Sequence, residues 1–284
     1  MMYVEIIAGF IILLLGGDFM VRGAVAVAEK LCISPLITGL TIVARGTSAP
    51  EFRVSIKADW NEAPRIAIGN VVGRNIANVF LGLGVPALIF PIVASGASLN
   101  RDNLIMVGAS LLFITFCWSG NLVTWQGLIF LGLLAAFLYH AYRAARREGD
   151  TGEDFEEDFD GVGAFPHNLP LAFGMIVLGL AGLFAGSSLL VSGSVSVARE
   201  AGISEAVIGL TMVALGTSLP ELTTSIVAAI RRHGDVAIGN VVGSNLFNIL
   251  GVMGATSVLM PVPIPAEVLR FDLWVMLGAS LILV

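Results

Sequence analysis

The stretch Gly39-Leu-Thr-Ile-Val-Ala-Arg-Gly-Thr-Ser-Ala-Pro-Glu51 returns as Gly209-Leu-Thr-Met-Val-Ala-Leu-Gly-Thr-Ser-Leu-Pro-Glu221, one acidic motif set twice in apolar sequence at an offset of 170 residues. A carboxylate at membrane depth is costly and marks a functional site by default. Pro50 and Pro220 lack the backbone N–H of a continuous helix, so each motif reads as a broken helix carrying one Glu. The carbonyls around Ala44 to Thr47, and their equivalents from Ala214 to Thr217, are then expected to leave the helical ladder. In a bilayer such groups are tolerated only where protein buries them or where they line a wet cavity, and there they can hold a cation.

The offset of 170 extends outward from the motif: Gly69-Asn-Val-Val-Gly73 matches Gly239-Asn-Val-Val-Gly243, Asn75 matches Asn245, and Asn78 matches Asn248. About half of positions 39–84 are identical to their partners in 209–254. Gly23 aligns with Gly193, and Gly108-Ala-Ser110 with Gly278-Ala-Ser280, so the register holds to the end of the chain. The sequence is a tandem duplication. The first unit, 1–142, holds five apolar spans, and an odd number turns the second unit upside down. Inverted repeats are a recurrent transporter architecture, with the site near the midplane between the copies. The second unit is expected over 170–284, joined by an acidic cytoplasmic linker over 143–169. The fifth span, near 122–142, would recur at 292–312, so the chain is expected to stop before its tenth helix.

Composition sets the environment. The chain is 56% hydrophobic and 13% charged, with a mean hydropathy of +0.91, against about a quarter charged in soluble proteins. Nine apolar runs, near 3–27, 35–59, 66–93, 104–119, 122–142, 170–197, 204–230, 236–260 and 271–284, alternate with short polar connections. Most are long enough to cross the roughly 30 Å of hydrocarbon. The fold class is therefore an all-α integral membrane protein with inverted repeats. The first run has no basic n-region and no small-residue cleavage site, so it reads as a retained helix. Lys and Arg favour the connections that are inside when the N-terminus is outside: Lys30, Arg101, Arg143, Arg146, Arg147, Arg231 and Arg232.

The net charge of −6 comes largely from the carboxylates between Asp150 and Asp160, which match no EF-hand pattern and read as a solvated tether. Nucleic-acid binding has no support. Cys32 and Cys117 lack the number and spacing of a disulfide framework or metal site, and read as packing residues. His140, His167 and His233 fall at loop edges and are expected to be solvated.

The motifs offer only oxygen: the carboxylates Glu51 and Glu221, the hydroxyls Thr47, Ser48, Thr217 and Ser218, the freed carbonyls, and the amides Asn78 and Asn248. Ser244 lies four residues before Asn248, on the same helix face. Such a set suits Ca²⁺ or Na⁺ rather than softer transition metals. With no nucleophile–base pair and no metal triad, the chain reads as a transporter without cofactors, not an enzyme.

The repeated Gly-Thr-Ser-x-Pro-Glu followed by Gly-Asn-Val-Val-Gly-x-Asn-x-x-Asn resembles the two α-repeats of the sodium/calcium exchangers, in the calcium/cation antiporter superfamily, of prokaryotic type. The resemblance covers the chain except its linker. It implies a ten-helix (5+5) fold with a core of helices 2, 3, 7 and 8, a gating pair of helices 1 and 6, and exchange of Na⁺ for Ca²⁺ by alternating access. It further implies that Glu51 and Glu221 are shared ligands and that Thr47 and Thr217 give oxygens to Ca²⁺. Ala44, Ser48, Ala214, Ser218 and Ser244 match its Na⁺ positions. The position of Asn248 is Asp in several branches, and Arg74 replaces the Ser of the family's Gly-Ser-Asn.

Four intramembrane arginines have no basic partner in the second copy: Arg22 matches Ser192, Arg45 matches Leu215, Arg53 matches Thr223 and Arg74 matches Ser244. Arg74 is one turn before Asn78, on its face, within expected reach of the Glu pair. Snorkelling to the interface, or pairing with a carboxylate elsewhere, such as Asp18 for Arg22, is the other reading of these side chains. The leading expectation is a Na⁺/Ca²⁺ antiporter of the prokaryotic inner membrane, acting as a monomer. H⁺- or K⁺-coupled Ca²⁺ exchange stays open, as does a non-transporting scaffold whose cation site Arg74 fills.

Overall fold

The computed structural model describes residues 2–31, 33–47, 64–89, 92, 97–151, 168–204, 208 and 214–283. Leucine-, alanine- and glycine-rich sequence with no internal proline makes α1 (Met2–Leu31) and α6 (Leu169–Glu200) the long unbroken helices. α6 starts cleanly because the Asn168 side chain accepts the Leu171 N–H at 3.1 Å and a proline fills its first turn.

These two helices lie antiparallel in backbone contact. A Cβ on Gly9 would stand 2.5 Å from Leu190 N, on Gly16 2.7 Å from Leu183 N, and on Gly23 2.8 Å from Ala172 O. From the other side, a Cβ on Gly179 would meet Met20 N at 2.6 Å, on Gly186 Leu13 N at 2.6 Å, and on Gly193 Met2 O at 2.7 Å. Each glycine of the first set is the second set's partner at an offset of 170, so the two repeats are inverted relative to one another. Glycine at these positions lets two helices approach without a hydrophobic driving force from lipid.

α2 runs through Pro35–Thr38, a π turn at Gly39–Val43 and Ala44–Thr47. α3 is built alike, from Pro64–Ala77, a π turn at Asn78–Leu83 and Gly84–Ile89. α4 spans Ala97–Cys117 and α5 Thr124–Thr151. In the second unit α7 comprises Ala214–Thr217 and Leu219–Ile230. α8 comprises Gly234–Leu246, a π turn at Phe247–Val252 and Met253–Leu259. α9 comprises a π turn at Val268–Asp272 and Leu273–Ile282. The π turn of α3 and that of α8 start one residue apart in the two copies, at Asn78 and Phe247, and each contains the duplicated Asn. Such turns are frequent at functional sites.

α8 lies at the centre. A Cβ on Gly239 would come 2.5 Å from Leu36 O and one on Gly39 2.7 Å from Val236 O, so α2 and α8 touch backbone to backbone. One apolar core, with Met106, Phe113, Phe130, Leu246, Ile249 and Leu273 fully or almost fully buried, joins α3, α4, α5, α8 and α9. A second, around Leu13, Met20, Ile176, Leu183 and Val241, joins α1 and α6 to α8. A two-residue antiparallel pairing of β1 (Asn121–Leu122) with β2 (Val262–Pro263) ties the α4–α5 turn to the segment before α9.

Among the described residues, Met2–Leu31, Ile68–Leu88, Thr124–Arg143, Leu169–Glu200 and Gly234–Leu259 are long and apolar enough to cross a membrane. Leu36–Thr47 and Leu219–Ile230 are shorter apolar helices, the second set off from Ala214–Thr217 by the break at Ser218. Two expectations change. α5 continues to Thr151, into the segment read as linker from 143, because the Arg- and Ala-rich run 143–148 suits a helix. His233, expected to be solvated, is 6% exposed: the chain turns at Arg232 with φ +62° and His233 N–H donates to Ala228 O at 2.8 Å, folding the residue back against the core. His140 is exposed and Cys117 is buried. Cys32, His167 and residues 152–167 of the linker lie outside the described residues.

Candidate cation site

In the second copy the helix breaks at Ser218, with φ −94° and ψ −1°, and Pro220 sits in the first turn of the helix that follows. Two carbonyls beside the break are taken up from other helices. Ser187 Oγ of α6 donates to Gly216 O at 2.6 Å, and Arg74 Nη2 of α3 donates to Thr217 O at 2.8 Å. The same guanidinium nitrogen is 3.4 Å from Glu221 Oε1. Arg74 is 5% exposed and Glu221 1%, so the pair is buried between the two repeats.

The Glu221 backbone is fixed as well: Asn240 Nδ2 of α8 donates to Glu221 O at 3.2 Å and to Ser225 Oγ at 3.1 Å. Asn240 Oδ1 lies 3.5 Å from Thr47 Oγ1. Asn240 thus links the motif of one copy to that of the other. Sequence reasoning missed it; the available signal was its place in the repeated Gly-Asn-Val-Val-Gly.

The amides form a symmetric network across α3 and α8. Asn75 Nδ2 donates to Asn245 O at 3.4 Å and Asn245 Nδ2 to Asn75 O at 3.2 Å. Asn78 Nδ2 donates to Asn245 Oδ1, and Asn248 Nδ2 to Asn75 Oδ1, both at 3.0 Å. Every bond maps onto its partner under the offset of 170, as do Ser110 Oγ and Ser280 Oγ, 3.4 Å apart. The network commits the amide N–H groups of Asn78 and Asn248 to the protein. Asn248 Oδ1 is buried without a hydrogen-bond partner among the described residues. A buried acceptor of this kind is open to a water or an ion.

In the first copy Ala44 is 1% exposed and Thr47 is fully buried. The carbonyls expected to be free there are partly satisfied: Thr47 Oγ1 lies 3.2 Å from Val43 O and 3.3 Å from Ala44 O, within reach of both as a donor. A threonine in a helix bonds back to its own backbone in this way. Ser48, Glu51 and Arg53 lie outside the described residues, as does the side chain of Ala214. In the second copy Ser218, Ser244 and Glu221 are buried and Thr217 is half-buried, while Asn78 and Asn248 are buried between α3 and α8.

The arginines separate. Arg74 joins the Glu221 carboxylate of the opposite repeat, whereas the Arg45 side chain is exposed. Arg22 pairs with Asp18, one turn earlier on α1, at 3.6 Å. Asp18 also accepts from Arg231 at the end of α7, which ties α1 to α7. A cavity of ≈ 490 Å³ opens there, lined by Leu14, Asp18, Val227, Ile230, Arg231 and Arg232.

An all-helical, multi-span membrane protein of two inverted units, with a buried carboxylate at a broken helix, is a secondary transporter and not an enzyme. The chain belongs to the sodium/calcium exchanger protein family, whose profile matches residues 2–143 and 171–284. It is 38% identical to the putative antiporter CaxA of Alkalimonas amylolytica over 98% of this chain and 87% of that protein. It is 32% identical to the inner membrane protein YrbG of Escherichia coli K12, over 98% of this chain and 86% of that protein. A solved structure of the sodium-calcium exchanger NCX_Mj, soaked without Na⁺ or Ca²⁺, superposes with a TM-score of 0.84 at 31% identity, covering 99% of this chain and 89% of that one.

Proposed function

We propose that the protein exchanges Na⁺ for Ca²⁺ by alternating access at the midplane, the two ions competing for one set of oxygens. The observation that carries this reading is Glu221, 1% exposed at the break of α7, its backbone held by Asn240 and its neighbour Thr217 presenting a carbonyl toward α3. Glu51 enters as its partner through the repeated motif. Thr47, Thr217, Asn78 and Asn248 complete the Ca²⁺ oxygens, and Ala44, Ser48, Ala214, Ser218 and Ser244 those for Na⁺. One Ca²⁺ or several Na⁺ neutralise two carboxylates, so the ions exclude one another and exchange follows. The likeness to NCX_Mj over nearly the whole chain supports the choice of ions. The excess of Lys and Arg in alternate connections supports an N-terminus outside, and the likeness to an inner membrane protein supports that membrane.

A second reading is a non-transporting scaffold whose site Arg74 fills, and it draws on the 3.4 Å approach of Arg74 to Glu221. Ca²⁺ uptake into everted vesicles, with and without a Na⁺ gradient, separates the two. Na⁺-dependent uptake is expected; no uptake under any gradient favours the scaffold. Uptake that collapses with a protonophore, or that requires K⁺, assigns the coupling to H⁺ or K⁺.

A further inference from the structure

Arg74 stands where the second repeat carries Ser244. Its guanidinium donates to Thr217 O at 2.8 Å and lies 3.4 Å from Glu221 Oε1, with both side chains shielded from solvent. A cation binding between this carbonyl and this carboxylate needs the lone pairs that the N–H groups now use. Arginine keeps its charge at any accessible pH, so the site carries a permanent positive charge on a flexible stem.

We infer that Arg74 is a specificity-determining residue, a tethered cation that biases the site against divalent and toward monovalent ions. The inference rests on the reading of this site as one that Na⁺ and Ca²⁺ share. Repulsion between fixed and arriving charge scales with the product of charges, so whatever factor Arg74 costs Na⁺, it costs Ca²⁺ about the square of that factor. At about 4 Å and an effective dielectric near 20 the penalty on a monovalent ion approaches roughly a thousandfold in affinity, and the stem relieves part of it by swinging aside. Arg74 has no charged counterpart in the other repeat, so the two halves of a symmetric fold are electrostatically unlike.

The test is binding, not transport, so it stands whether or not the exchange reading survives. Purified protein in detergent is titrated separately with Na⁺ and with Ca²⁺, and the shift of Tm with ion concentration gives each Kd. The parent is compared with Arg74→Ser, Arg74→Gln, which keeps a donor for Thr217 O, and Arg74→Lys, which keeps the charge. Removing the charge is expected to tighten Na⁺ by about tenfold and Ca²⁺ by about a hundredfold, with Arg74→Lys near the parent. Arg74→Gln carries the comparison should Arg74→Ser fail to fold. Equal gains for both ions, no gain, or the same gain in Arg74→Lys overturns the inference.

Discussion

Glu221 and Arg74 hold each other inside the membrane, and removing one charge leaves the other stranded. Glu221→Gln is expected to lower stability by about 3–5 kcal/mol, the usual cost of breaking a buried pair. Combining it with Arg74→Ser should recover much of that loss. Thermal unfolding of the two single variants and the double in one detergent checks this, and additive losses would show that the pair does not couple. The carboxylate was readable from the sequence because a Glu after Gly-Thr-Ser-x-Pro occurs twice. That Arg74 reaches the other repeat's Glu was only half readable. Its spacing from Asn78 gives the helix face, but its partner depends on how α3 lies against α7. Asn75, Asn245 and Asn240 were legible as duplicated letters and not as a network. A hydrogen bond across inverted helices leaves no periodicity in the chain.

Among the elements, α1 and α6 depend on glycine where their backbones touch. Gly186→Ala would bring a Cβ to 2.6 Å from Leu13 N and 2.8 Å from Gly9 O, so the helices must part. Overpacking of this kind costs about 1–3 kcal/mol. Gly174→Ala, on the same helix with nothing within 4 Å of its Cβ, is the control and should be neutral or stabilising. Melting curves of the two variants that coincide would refute the close-contact seam. Asp18 is the polar tie between α1 and the end of α7 through Arg231. Asp18→Asn leaves Arg22 and Arg231 facing one another without their shared carboxylate, and is expected to loosen α1 against α7. Faster hydrogen exchange at 227–232 measures the effect, and unchanged exchange there would count against it. Sequence alone gave both long helices and the inversion from the odd number of spans. It aligned Gly23 with Gly193 but not the seven-residue spacing of the glycine seam, which acquires meaning once the helices are seen side by side. The break in α7 was expected from Pro220, and the one expected from Pro50 lies outside the described residues, whereas the π turns in α3 and α8 carry no proline signal.

For the whole molecule, duplication and hydropathy specify the membrane fold, and the charges decide what it does. An internal repeat imposes near-symmetry on the amides of α3 and α8, while Arg74 breaks it at the carboxylate. Exchange requires a site that two ions share and cannot occupy together, and the proposed site builds it on the Glu221 carboxylate at the break of α7. Ca²⁺ flux into proteoliposomes under an imposed Na⁺ gradient, measured for the parent and for Glu221→Gln side by side, tests this most directly. The parent is expected to move Ca²⁺ against the Na⁺ gradient and Glu221→Gln to lose that flux. Undiminished Na⁺-driven Ca²⁺ flux in Glu221→Gln would contradict the assignment of Glu221 as the shared cation ligand.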